Sequence, residues 1–121
     1  TTAPGQNSSE FGVTLCMADM SGPFDYHLTH YMIRLCQEFQ IPYQRDVFRY
    51  YRSDSAAAVE AGADIRTALA TFGIDGSHGW ERIHWHALES LTKLVSVYMQ
   101  APPLFQRDQE EIGPRQGFPL Q

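Results

Sequence analysis

Gly12-Val13-Thr14-Leu15-Cys16-Met17-Ala18 is the stretch whose reading decides the fold. It is short, mostly apolar at consecutive positions, and closed by the turn-forming Asp19-Met20-Ser21-Gly22-Pro23. An apolar run of this length, too short for a core helix, suits a strand covered on both faces. Such a strand needs a neighbour on each edge, so in a chain that offers only three strands the run predicts a piece that completes a larger sheet.

Working outward, Leu28, Tyr31, Met32, Leu35, Cys36 and Phe39 recur at three and four residues from Asp25 onward, the apolar stripe of an amphipathic helix. Pro42 is read as its stop, and Tyr43 to Tyr51, with Val47 and Phe48, as a second strand. Ser53-Asp54-Ser55 before Ala56-Ala57-Ala58-Val59-Glu60-Ala61-Gly62 reads as an N-cap, a short helix and a glycine stop. Ile65 to Phe72 is read as a third strand and Gly73 to Arg82 as a loop. Ala87, Leu88, Leu91, Leu94, Val95, Tyr98 and Met99 make a second long helical stripe. The order strand, helix, strand, helix, strand, loop, helix predicts a largely parallel sheet covered by helices. Residues 1–10 read as a linker from an upstream portion, 11–101 as the folded part, and 102–121 as a polar, flexible tail punctuated by Pro114 and Pro119.

Composition narrows the function classes. Of 121 residues 43% are hydrophobic and 19% charged, an ordinary globular balance. The net charge is -5, and Lys93 is the only lysine, so no basic stripe for nucleic acid exists. No apolar run approaches a membrane span and no signal core opens the chain, so the expectation is a soluble, cytoplasmic protein with neither membrane nor nucleic-acid partner. Cys16 and Cys36 fall mid-strand and on a buried helix face and read as free core thiols.

Chemistry-bearing residues gather late in the chain. His84 and His86 are two apart, a poor helical metal spacing, and read as exposed or helix-capping. His27 and His30 have helical spacing, yet that helix must turn a face to solvent. His78 differs: Gly76-Ser77-His78-Gly79-Trp80-Glu81-Arg82 follows a predicted strand, where open α/β sheets bind ligands. Asp19 suits a turn and Asp54 a helix start. No phosphate loop, Cys-x-x-Cys pair or nucleophile elbow is present.

Five ordered blocks carry a resemblance: residues 12–19, Gly22-Pro23-Phe24-Asp25-Tyr26-His27-Leu28-Thr29, Ile41-Pro42-Tyr43-Gln44-Arg45-Asp46, Ser53-Asp54-Ser55-Ala56, and Ser77-His78-Gly79-Trp80-Glu81-Arg82. Their succession, over roughly residues 11 to 100, resembles the C-terminal third of the glutamyl and tetrahedral aminopeptidase family of co-catalytic metallopeptidases. It is most similar to the subgroup linked to synthesis of the osmoprotectant N-acetylglutaminylglutamine amide. The resemblance implies the C-terminal part of a mostly parallel α/β/α sandwich, a peptide substrate, and two divalent metal ions, zinc or cobalt, in the full-length protein. It implies a homo-oligomer based on dimers, up to a dodecamer. Of the family's metal ligands, the late histidine falls on His78.

Two departures qualify the resemblance. Arg49-Tyr50-Tyr51-Arg52 stands where many members carry a Gly-rich loop, and Arg52 or Arg49 is the candidate to meet an acidic side chain. Arg52, Asp54 and Glu81 are the candidate substrate-binding residues. No segment matches the remaining ligands or the general base, so no catalytic residue is assigned and the isolated chain is expected to be inactive. The competing readings are a non-catalytic assembly or interaction module on the same fold, and a glycan hydrolase, which requires two carboxylates flanking a sugar bond.

Overall fold

A computed structural model describes residues 9–76 and 78–105. The elements run β1 (Val13–Asp19), β2 (Gly22–Pro23), α1 (Tyr26–Glu38), β3 (Tyr43–Val47), α2 (Ser55–Glu60), β4 (Leu69–Phe72) and α3 (Trp85–Gln100). The α/β class read from the sequence is the class observed. Strand β1 is the centre of the sheet, with β3 along one edge and β4 and β2 in succession along the other. Val13, Thr14, Leu15 and Cys16 are fully buried, which explains why the run carries no polar alternation.

The side chains of β1 divide between two faces. Val13 and Leu15 enter one apolar cluster with Met32, Ile33, Leu35 and Cys36 of α1 and Leu94 of α3. Both long helices therefore lie on the same face, against β1 and each other. The described residues form two layers of the expected sandwich, a sheet and a helix pair. Burial pushes the thiols of Cys16 and Cys36 up, the second to about 11, so both are neutral core groups, free and unbridged as read from the sequence.

The expectation of a largely parallel sheet holds at β1–β3, where Val13 pairs Tyr43 and Cys16 pairs Asp46. It fails at β4, which pairs β1 antiparallel, Val13 opposite Phe72 and Cys16 opposite Leu69. The reason is the length of α2. Its six residues rise only about 9 Å, whereas returning along the seven residues of β1 needs about 23 Å. The chain leaves β3 near the C-terminal end of β1 and re-enters the sheet running the other way. The third strand is also shorter than Ile65 to Phe72, and the second stops at Val47 instead of reaching Tyr51.

Helix α1 starts on Asp25, whose carboxylate accepts the Leu28 backbone N–H at 2.7 Å and the Arg66 guanidinium at 2.9 Å. Its end corrects the role given to Pro42. Gln40 adopts φ 54 and the Ile41 N–H reaches back to the Cys36 carbonyl at 2.8 Å, a Schellman closure two residues before the proline. Pro42 instead supplies the carbonyl that takes the Val13 N–H at 3.0 Å. Past α3, the Tyr31 hydroxyl donates to the Pro102 carbonyl at 2.6 Å and Arg66 lies 3.6 Å over the Phe105 ring, so residues 102–105 lie back along α1. Residues 1–8 of the expected linker and 106–121 of the expected tail lie outside the described residues.

A left-handed position occupied by a side chain other than glycine carries a steric penalty. Replacing Gln40 by Gly is therefore expected to raise stability by about 1 kcal/mol, read as an upward shift in a thermal or denaturant melt. A fall would show that the Gln40 side chain outweighs its backbone strain.

Candidate functional site

The face of the sheet away from α1 and α3 carries Leu69 and Thr71 into an open cleft of about 1290 Å³. Two loop systems reach this cleft. One follows β3 and contributes Arg52, Ser53 and Asp54; the other follows β4 and contributes Asp75, Arg82 and His84. This is loop-borne polar chemistry at the margin of an open α/β sheet, the setting in which such sheets bind ligands.

The first loop is tied to the end of β1 at three points. The Phe48 N–H donates to the Ala18 carbonyl at 3.0 Å, and the Met20 N–H to the Tyr51 carbonyl at 2.9 Å. The third is a side chain: Asp19 Oδ2 accepts the Ser53 N–H at 2.8 Å, while Oδ1 accepts the Ser21 N–H at 2.8 Å and the Ser21 hydroxyl. Asp19 is only 7% exposed. Burial alone would raise its pKa, but the donors of Ser21 and Ser53 outweigh burial and hold it at about 2. The sequence marked Asp19 as a turn residue; its bond to Ser53, 34 positions away, gave no local signal.

Arg52 and Asp54, two of the candidate substrate residues, flank this tie. Arg52 is held by Glu60 of α2, with both side chains well exposed, a pair of small energetic worth. Its guanidinium already has a carboxylate partner within the chain, which weakens its candidacy as receptor for an acidic substrate side chain. Asp54 stands at the N-cap position of α2 as read, but its side chain makes no capping bond and stays exposed on the cleft wall.

The second loop is narrower than a composition rich in Gly and Ser suggests. Asp75 and Arg82 form an antiparallel bridge, with reciprocal backbone bonds of 3.0 and 3.1 Å, reinforced by Arg82 Nη2 on Asp75 Oδ2 at 2.7 Å. The Arg82 guanidinium holds the Asp75 carboxyl below its usual range. Inside this closure Gly76 takes φ 72, and a Cβ there would lie 2.8 Å from the Trp80 carbonyl oxygen. His78 sits at φ 67, its N–H donating to Glu81 Oε1 at 3.2 Å, and its ring is exposed. The imidazole has no hydrogen-bond partner among the described residues. Ser77 lies outside them. His78 and Glu81 are thus brought together at the tip of the hairpin, while its base lines the cleft. The pairing of Asp75 with Arg82, seven residues apart on either side of the glycines, was a signal the sequence did contain.

The other histidines follow the milder readings. His84 caps α3, its Nδ1 accepting the His86 N–H at 3.2 Å, and stacks edge-on with Phe11. His30 stacks on Tyr26 and bonds its carbonyl at 2.8 Å. Among the described residues no three His, Cys, Asp or Glu side chains gather as a metal-binding set. None of the described helices is long and apolar enough to cross a membrane.

Fold and cleft together define an α/β unit whose loops converge at one side of the sheet. The family model of M42 glutamyl aminopeptidase matches residues 2–94. A protein of Bacillus subtilis (strain 168) named "Putative aminopeptidase YhfE" is 40% identical over 98 residues, which cover 81% of this chain and 28% of that protein. The chain belongs to the M42 glutamyl aminopeptidase family, a family of hydrolases acting on peptides. It spans 28% of the length of the curated relative it matches.

The ionised state of Asp19 has a pH signature. Its folded pKa of about 2 lies below the ordinary 3.8, so the stability it contributes is complete above about pH 5 and is lost progressively as pH falls through 2. The shift is worth about 2 kcal/mol. Denaturant melts between pH 5 and 2 are expected to show a steeper acid loss for the native chain than for Asp19→Asn. Parallel curves would remove Asp19 from the acid-sensitive groups.

Proposed function

We propose that this chain is the C-terminal portion of a metal-dependent aminopeptidase that releases N-terminal residues from short peptides. The observation that carries the reading is the family match across residues 2–94, joined to the 40% identity with an aminopeptidase-named relative. His78 is the proposed metal ligand. An imidazole is a good zinc donor, and this one is exposed, has no hydrogen-bond partner among the described residues, and is carried on a backbone held by a hairpin closed through its own bonds. One imidazole is a single donor, so the other ligands and the general base belong to the part of the relative's length that this chain does not span.

When bound, a pair of zinc or cobalt ions supplies an activated water and polarises the scissile carbonyl. The chain's own residues have simpler tasks. His78 offers one imidazole nitrogen, Glu81 fixes the backbone that carries it, and Asp54 stands on the cleft wall as an acceptor for a peptide N–H or ammonium group. Arg52 stays in the proposal as a residue of the wall, oriented by Glu60. A cytoplasmic setting, a place in osmolyte metabolism, and assembly from dimers belong to the same proposal.

In the full-length protein His78→Ala is expected to reduce bound zinc and to lower peptidase kcat by roughly a hundred-fold or more. The fold should be retained, because the ring is exposed. Unchanged zinc stoichiometry by elemental analysis would refute the ligand role. The 121-residue chain alone is expected to bind zinc weakly and to hydrolyse no aminoacyl p-nitroanilide; a tight stoichiometric site by calorimetry would overturn that expectation.

A further inference from the structure

We infer that Asp19 is a positioning residue of the substrate cleft, acting through the Ser53 backbone to hold Arg52 and Asp54 in place on its wall. The inference rests on the peptidase reading above and assigns a role to a residue that touches neither the proposed metal ligand nor substrate.

The geometry is that of a fixed strut. Asp19 ends β1, the most buried strand, and is itself 7% exposed. One of its oxygens is filled by Ser21, which locks the turn into β2; the other takes the Ser53 N–H at 2.8 Å. Ser53 lies between Arg52 and Asp54, and all three line the cleft. The other ties of this loop to β1, at Phe48 and Tyr51, lie upstream of Arg52, while the Ser53 and Asp54 carbonyls accept the Ala56 and Ala57 N–H groups and the Ser53 hydroxyl meets that of Ser55. Downstream, α2 has only six residues, with Ala56 buried, and its first turn receives no side-chain cap from Asp54. Glu60 holds the Arg52 side chain, but the Asp19 carboxylate is the tie that joins the backbone between the two wall residues to the end of β1. An ionised acceptor binding two separate N–H groups is stronger than a neutral one, and it does not change protonation near neutral pH.

Asp19→Asn keeps the shape but exchanges one acceptor for a donor, so either Ser53 or Ser21 loses its partner. With the full-length, metal-loaded protein and leucine and glutamate p-nitroanilides as probes, the expected result is a KM raised roughly ten-fold with kcat changed less than about two-fold. Ser21→Ala, which removes one donor to the same carboxylate, should raise KM by a smaller factor and serves where Asp19→Asn does not fold. Because Asp19 acts through the wall, Asp19→Asn and Asp54→Asn should be non-additive, the double variant resembling the more impaired single one. Unchanged KM in folded Asp19→Asn and Ser21→Ala would overturn the inference. So would additive effects, or a fall of kcat and kcat/KM in step with a lost folded fraction, which is what a merely structural role gives. A wild-type protein inactive on every probe would instead defeat the peptidase reading, and this inference with it.

Discussion

Burial of the β1 backbone between two neighbours is the constraint on which the rest of the structure depends. Four consecutive residues, Val13 to Cys16, are removed from water. Each buried N–H and C=O must find a partner, because an unpaired one costs about 1–3 kcal/mol. Strand β3 satisfies one edge and β4 with β2 the other. Once those pairings are made, the apolar stripes of α1 and α3 have one surface on which to close, the face bearing Val13 and Leu15. The opposite face, with Leu69 and Thr71 beside Thr14 and Cys16 in register, is left to the cleft. The division between core and site follows from the alternation of a single strand.

The same strand organises the cleft at its C-terminal end. Ala18, Asp19 and Met20 each bond a different point of the loop after β3, so that loop is an extension of the sheet by other means. A surface ion pair such as Arg52 with Glu60 contributes little on its own. A buried carboxylate with three donors and a pKa of about 2 contributes more. The difference in burial explains why the polar residue that shapes the wall is not the one the sequence marks as charged and conspicuous.

Legibility in the sequence followed locality. Helices α1 and α3 were readable because their stripes repeat within one element, and β1 because a run of apolar residues has few other fates. Cys16 and Cys36 came with them. The direction of β4 was not readable from its own residues, since it is set by the short reach of α2. The stop of α1 was misassigned to Pro42 because Gln40 is not a residue that announces a left-handed turn. At the site, His78 and Glu81 emerged together from one block, whereas the link from Asp19 to Ser53 spans 34 positions and carries no motif. Local pattern finds the residues; long-range hydrogen bonds decide which of them are held.

Under the proposed function, His78 shows what one part of a site can retain by itself. Its hairpin closes through Asp75 and Arg82, two residues inside the same short segment, and its backbone is fixed by Glu81, three positions on. None of these bonds requires a partner from elsewhere in a longer chain. Under the proposed function the backbone that carries this donor is set before any other ligand arrives, while no multi-donor set gathers among the described residues. The left-handed φ of 67 at His78 is held by bonds inside the hairpin itself. Under the proposed function, binding energy from the completed site can then go into holding the ions and the peptide, because this part of the scaffold needs no further folding to receive them.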